Sequence, residues 1–171
     1  MKLNISESIA MSDLFEVECY DSKGRLKWRD TIKNLVVDEG LDDVLDKYLK
    51  GSAYTAAHYV GLTDGTPTPN AADTMASHAG WAEVQLYDEA ARQTATWGAV
   101  SGKSVDNSAS KAVFTISTNA TTIGGCFLCT NSTKGGTTGT LYGVGAFTAG
   151  NKVLDAADIL NVTVTATAAS S

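Results

Sequence analysis

Apolar and polar residues alternate with period 2 over Leu14-Phe-Glu-Val-Glu-Cys-Tyr20 and again over Arg25-Leu-Lys-Trp-Arg29, with Asp21-Ser-Lys-Gly24 between them. Such alternation gives a strand one apolar and one polar face, and a polar, Gly-ended tetrad between two such runs reads as a hairpin turn. Pairing Tyr20 with Arg25 sets Cys19 against Leu26 and Val17 against Trp28 on one face. Glu18 then faces Lys27 and Glu16 faces Arg29 on the other. A three-residue turn with Gly24 as a bulge is the competing geometry, and it shifts this register by one.

The period changes after the hairpin. Asp38 offers an N-cap and Glu39 suits the positive end of a helix. Leu41, Val44, Leu45, Tyr48 and Leu49 fall at i, i+3, i+4, i+7 and i+8, and Gly51 ends the run, which predicts one helix over residues 39–50. Its apolar stripe is expected to pack on the rest of the domain or on a neighbouring subunit.

Beyond residue 54 the pattern becomes strands punctuated by turns. Strands are predicted at 57–62, 82–88, 94–100, 111–117, 123–130, 140–147 and 159–167. The Gly-, Asn- and Thr-rich stretches 64–70, 102–107, 131–139 and 149–151 separate them. The last strand is clearest, with Leu160, Val162, Val164 and Ala166 alternating with Asn161, Thr163, Thr165 and Thr167. The reading is an all-β protein: an antiparallel β-sandwich, jelly-roll or Ig-like, with an N-terminal β-hairpin and one amphipathic α-helix. Residues 1–12 are weakly patterned and predict a flexible arm. Residues 13–52 hold the hairpin and helix, residues 53–171 the sandwich, and the two form one domain.

Charge modifies this picture. Residues 1–50 carry eleven acids and eight bases, whereas residues 101–171 carry three acids and four bases and are filled instead with Thr, Ala, Gly and Ser. Small and β-branched residues suit packed strands and supply few groups for acid–base work. The net charge of −6 and the lack of a clustered basic patch argue against nucleic-acid binding. The start Met1-Lys-Leu-Asn-Ile-Ser-Glu7 lacks the apolar core of a secretory signal, and no run approaches a membrane span. No membrane partner is expected, and the protein is expected to be made in a cytoplasm.

Candidate chemistry is sparse. Cys126-Phe-Leu-Cys129 has the spacing of metal and redox pairs, but it lies in a strand-like run whose alternation sends the two thiols to opposite faces. With Cys19 they read as buried small hydrophobes, so no metal and no cofactor are expected. His58 and His78 are the only histidines, and the Gly-x-Ser-x-Gly, His-Glu-x-x-His and phosphate-loop patterns are absent from the sequence. The acids Asp42-Asp43 and Asp46 lie off the helix stripe and read as solvated. Asp88-Glu89 leads into Arg92 and is read as orienting it. Trp28, Trp81 and Trp97 could stack on a sugar, although strand aromatics are more often core. No catalytic residue is assigned. Three buried tryptophans would favour a structural protein, and an exposed one a carbohydrate-binding module; a glycosidase is the remaining alternative.

The stretch Ala72-Asp-Thr-Met-Ala-Ser-His-Ala-Gly-Trp81 has no regular period and reads as a structured loop. Asp73, Met75, His78 and Trp81 are its candidate structural residues. Met75 and Trp81 are expected to fold back into a core, and the His78 ring to bond the loop backbone. This loop, with Asn34-Leu-Val-Val37, Gly40-Leu-Asp-Asp-Val-Leu-Asp46, Tyr59-Val-Gly-Leu62, Tyr87-Asp-Glu89, Arg92, Gly124-Gly-Cys-Phe-Leu128 and Lys134-Gly-Gly-Thr-Thr-Gly-Thr-Leu141, resembles a family of small virion structural proteins of tailed bacteriophages. The resemblance spans roughly residues 34–165. It implies a non-enzymatic capsid decoration or cement protein, carried in many copies on the head exterior after assembly in the host bacterial cytoplasm. Its implied partner is the major capsid protein lattice, with a homo-oligomer expected. A tail or head-fibre component, including a carbohydrate-binding module, is the alternative.

Overall fold

In the computed structural model, which describes residues 9–54 and 57–170, the first alternating run forms strand β1 (Ile9–Tyr20). It returns as β2 (Leu26–Lys33) and the short β3 (Leu35–Val36). The helix α1 (Asp38–Val44) continues as a π-helical turn, Leu45–Leu49. Then come β4 (Tyr59–Thr63), β5 (Glu83–Val84), β6 (Gln93–Thr94) and β7 (Ser104–Asp106), separated by long irregular stretches. The chain continues through β8 (Ala112–Thr115), β9 (Thr121–Ile123), β10 (Gly125–Cys129), β11 (Leu141–Ala146), β12 (Lys152–Leu154) and β13 (Ile159–Ser170).

The strands build an all-β sandwich with one short helix. One antiparallel sheet has the order β2-β1-β13-β7, with β8 also on β13; the other has the order β3-β11-β10-β4-β5, with β6 also on β4. Side chains from the two inner faces make one core: Phe15, Val17, Leu160 and Val162 from the first sheet meet Val60, Leu62, Cys126 and Leu128 from the second. Alternation drives this in the first sheet, where β2 buries alternate residues, whereas β4 and β10 at the centre of the second sheet are buried on both faces. Along β13 the partner strand changes from β8 to β7, which leaves a gap in the ladder. The buried Asn107 fills it: its amide donates to Val162 O (3.3 Å) and accepts from Val164 N (2.7 Å). A buried backbone group left without a partner would cost about 1–3 kcal/mol.

Several expectations are corrected. The flexible arm is not twelve residues long: Ile9 to Ser12 pair with Ser170 to Thr167 in the main ladder. Residues 1–8 of that arm lie outside the described residues. The hairpin register also differs. Cys19 lies opposite Trp28, Glu18 opposite Arg29 and Val17 opposite Asp30, while a bulge leaves Tyr20 opposite Leu26. Lys27 is the extra residue at that bulge, and it reaches Asp158 at 2.5 Å in place of Glu18. Glu18 pairs instead with Arg29 (3.2 Å) and Lys111 (3.0 Å). Leu26, expected beside Cys19, is exposed. Asp21 sets the turn by accepting from the N–H groups of Lys23 and Arg25.

The predicted strands 82–88 and 94–100 shrink to two-residue pairings, because their backbone groups bond elsewhere. Ala95 N donates to His58 O (2.8 Å) and Gly98 N to Asp106 O (2.7 Å). The segment after β6 therefore crosses from the second sheet to the first and spans one end of the sandwich. The helical span matches the expected one to within a residue at each end, but its second half is π-helical, and Val37, not Asp38, occupies its N-cap position with no side-chain cap.

Candidate functional site

The end of the sandwich spanned by residues 93–98 is open. A cleft of about 680 Å³ lies there between the two sheets, α1 and the crossing segment. The first sheet contributes Met11, Asp13, Val105 and Ala166, the second Val36, Leu128 and Tyr142, and the residue before β4 is His58. Gly40, Val44, Lys47 and Tyr48 line it from the helix, and Trp97, Gly98 and Val100 from the crossing segment, with Tyr54 at the rim. The walls are apolar and aromatic with a few polar groups, and the volume falls in the range of small-molecule sites.

The helix is held against this cleft backbone to backbone. A Cβ on Gly40 would sit 2.8 Å from both Cα and O of Tyr142, so only glycine permits the approach. Glu39 accepts from Leu141 N (3.0 Å), and the Tyr142 hydroxyl donates to the Asp43 carboxylate. Asp43 also lies 4.0 Å from Lys47. Burial, followed by the Asp43 carboxylate, pushes the Tyr142 hydroxyl well above the usual phenol range.

Two of the titratable groups that line the cleft, His58 and Asp13, are buried. The indole N–H of Trp97 donates to His58 Nδ1 at 3.1 Å, and the His58 ring packs edge-on to Tyr142, centroids 4.8 Å apart. Burial lowers the His58 pKa below its ordinary value, with Asp43 opposing, and the indole bond uses the lone pair of a neutral ring. Asp13 is 7% exposed. Asn34 Nδ2 donates to its Oδ2 at 3.3 Å, and among the described residues no cation pairs with it. Burial pushes its carboxyl up to about 6, against the Asn34 bond. A carboxyl perturbed this way inside an apolar cleft marks a functional-site candidate.

The sequence reading singled out neither Asp13 nor the His58–Trp97 pair. A signal for Asp13 was present: extending the alternation back from Phe15 places Asp13 in the inward phase.

Of the two packing partners expected for the helix stripe, the rest of the domain is not the one that covers it. Val44 and Tyr48 line the cleft, Tyr48 at its rim and 85% exposed, and the leucines point to solvent: Leu41 is 38% exposed, Leu45 54% and Leu49 73%. The helix is anchored through Glu39, Gly40 and Asp43 instead, and the leucines form an unpartnered apolar ridge beside the cleft.

The loop 72–81 lies elsewhere, on the outer face of the second sheet. Met75 and Trp81 are buried there with Phe127, Val144 and Leu141 in a second core. Asp73 accepts from the Trp81 indole (3.2 Å) and from Asn70 N (3.0 Å). The His78 ring bonds Trp81 O through Nδ1 (3.0 Å) and stacks on the Trp81 ring at 3.8 Å. Gly61 makes room for the Phe127 ring, which a Cβ would meet at 2.2 Å.

Beside this core Arg92 is fully buried, and its partner is Glu83, not Asp88 or Glu89. Nε and Nη2 bond the two Glu83 oxygens at 2.9 and 2.8 Å, and the guanidinium also donates to Asn131 O and Gly136 O. Glu89 accepts from Thr115 N. All three cysteines are free and buried, with Cys126 in the inner core and Cys129 in the outer one. Of the tryptophans only Trp81 is buried; Trp28 and Trp97 are partly exposed. No helix among the described residues is long and apolar enough to cross a membrane. No protein-family model, no curated protein sequence and no solved structure matches the chain.

Proposed function

We propose that this protein is a non-enzymatic structural component of a tailed-phage virion, bound in many copies to the capsid exterior through the leucine ridge of its helix. The observation that carries the docking role is the ridge itself. Leu41, Leu45 and Leu49, with Tyr48, stand exposed on a helix that Gly40 and Glu39 clamp to β11. Contiguous exposed apolar surface on a soluble protein marks an interaction site. The long β1–β13 ladder behind it supplies a rigid body. The virion assignment rests on the resemblance of the segments between residues 34 and 165.

A decoration protein touches several neighbouring subunits, so effective concentration raises its affinity for assembled lattice over free subunits. The test is to mix the protein with undecorated capsids and with unassembled capsid protein, then measure co-sedimentation and saturation stoichiometry. Many copies per particle and a strong preference for lattice are expected. Saturation at a few copies would point to a tail or portal location. A second reading, a carbohydrate-binding module on a fibre, is favoured by the partly exposed Trp97 beside Tyr48 and Tyr54 in the cleft. Saturable glycan binding that quenches Trp97 fluorescence would support it over docking.

A further inference from the structure

We propose that the cleft at the open end of the sandwich is a binding site for an amphiphilic primary ammonium, with Asp13 as its counter-ion. This inference is independent of the virion assignment, because it uses the interior of the cleft and not the leucine ridge.

The geometry asks for both halves of such a ligand. The apolar half is matched by a cleft of about 680 Å³ walled by Met11, Val44, Trp97 and Tyr142. Its surface is continuous with the inner core through Leu128, so an alkyl or aryl body entering it is partly withdrawn from water. The charged half is matched by Asp13. This residue is nine-tenths buried, projects into the cleft, and engages only one carboxylate oxygen, with Asn34. The second oxygen has no protein donor among the described residues.

A buried carboxylate is ordinarily paired, because an uncompensated charge in an apolar site costs several kcal/mol. The other charged groups at the cleft are already engaged or neutral. Lys47 approaches Asp43, Asp43 also accepts from Tyr142, and His58 Nδ1 accepts from Trp97. An incoming N–H donor therefore finds Asp13 as the open acceptor. A carboxylate ligand is disfavoured by the same Asp13.

The experiment uses n-octylammonium as the probe, with n-octanol and n-octanoate as controls of the same length. Binding is followed by the indole N–H resonance of Trp97 in a nitrogen-correlated NMR spectrum, assigned with Trp97→Phe. Octylammonium should bind at least about tenfold more tightly than octanol, the equivalent of one charge-assisted hydrogen bond. Asp13→Asn, which keeps the shape and the Asn34 contact, should erase that preference and leave octanol binding unchanged. In wild-type protein, which avoids any folding defect of the variant, lowering the pH from 7.5 to 5 protonates Asp13 and should weaken octylammonium but not octanol. Equal binding of the alcohol and the ammonium, a preference for octanoate, or no response at Trp97 would each overturn the proposal.

Discussion

Asp13 and Asp30 both occupy inward positions of the first hairpin, and they reach opposite electrostatic states. Burial pushes each carboxyl up. For Asp30, donors from Thr148, Ala149, Thr31 and Lys152 outweigh burial and hold it below its ordinary value. Asp13 has only Asn34 and stays high, at about 6. The fold favours its neutral form, so its contribution to stability is intact below about pH 4 and falls as the pH rises to about 6. Asp13→Asn should therefore match wild type near pH 4 and exceed it by on the order of 2 kcal/mol above pH 6, read by urea denaturation across that range. A constant difference at all pH values would show that Asp13 is solvated. Trp81→Ala should cost about 3–5 kcal/mol, the range for emptying a buried aromatic site, and an unchanged melting temperature would contradict its burial. Glu83→Ala strands the Arg92 guanidinium without its carboxylate and should cost about 3–5 kcal/mol. A loss below 1 kcal/mol in thermal denaturation would show that the pair is not buried in solution. Much of this was legible residue by residue: Met75 and Trp81 are too large and apolar for an exposed loop, and a thiol pair three apart on a strand must split between faces. The inward phase of Asp13 was legible too, but its lack of a cation and the Glu83–Arg92 pair were not, since alternation assigns a face without naming what lies across the sheet.

At the scale of elements, the long alternating runs specify their strands because each buries one complete face. The runs 82–88 and 94–100 carry a similar pattern, but their backbone groups bond loops and two different sheets, which no local period reveals. The helix shows the limit from the other side. Its stripe of Leu41, Val44, Leu45, Tyr48 and Leu49 was plain in the sequence, yet the structure holds the helix by its backbone at Gly40 and leaves the leucines in water. A period reports that a face is apolar, not which molecule covers it. Leu45→Asp should accordingly change the stability of the isolated protein by no more than about 0.5 kcal/mol, as surface substitutions do. A loss of several kcal/mol with dissociation of a dimer in light scattering would show that a second copy covers the ridge.

Taken whole, the molecule has two cores back to back across the second sheet, one inside the sandwich and one beneath the loop 72–81. The inner core opens into the cleft at one end, and the leucine ridge runs beside that opening. This divides the labour: the ladders and the two cores give stiffness, and the apolar surface that remains in water is concentrated where α1 meets the cleft. The proposed role of this ridge is to dock the protein on an assembled capsid. The direct measurement is quantitative co-sedimentation of wild type and Leu45→Asp with the same undecorated capsids, after circular dichroism has shown equal folding. Wild type should saturate the particles at many copies, and the variant should lose most of its binding at equal concentration. Equal saturation by the two proteins would contradict the account.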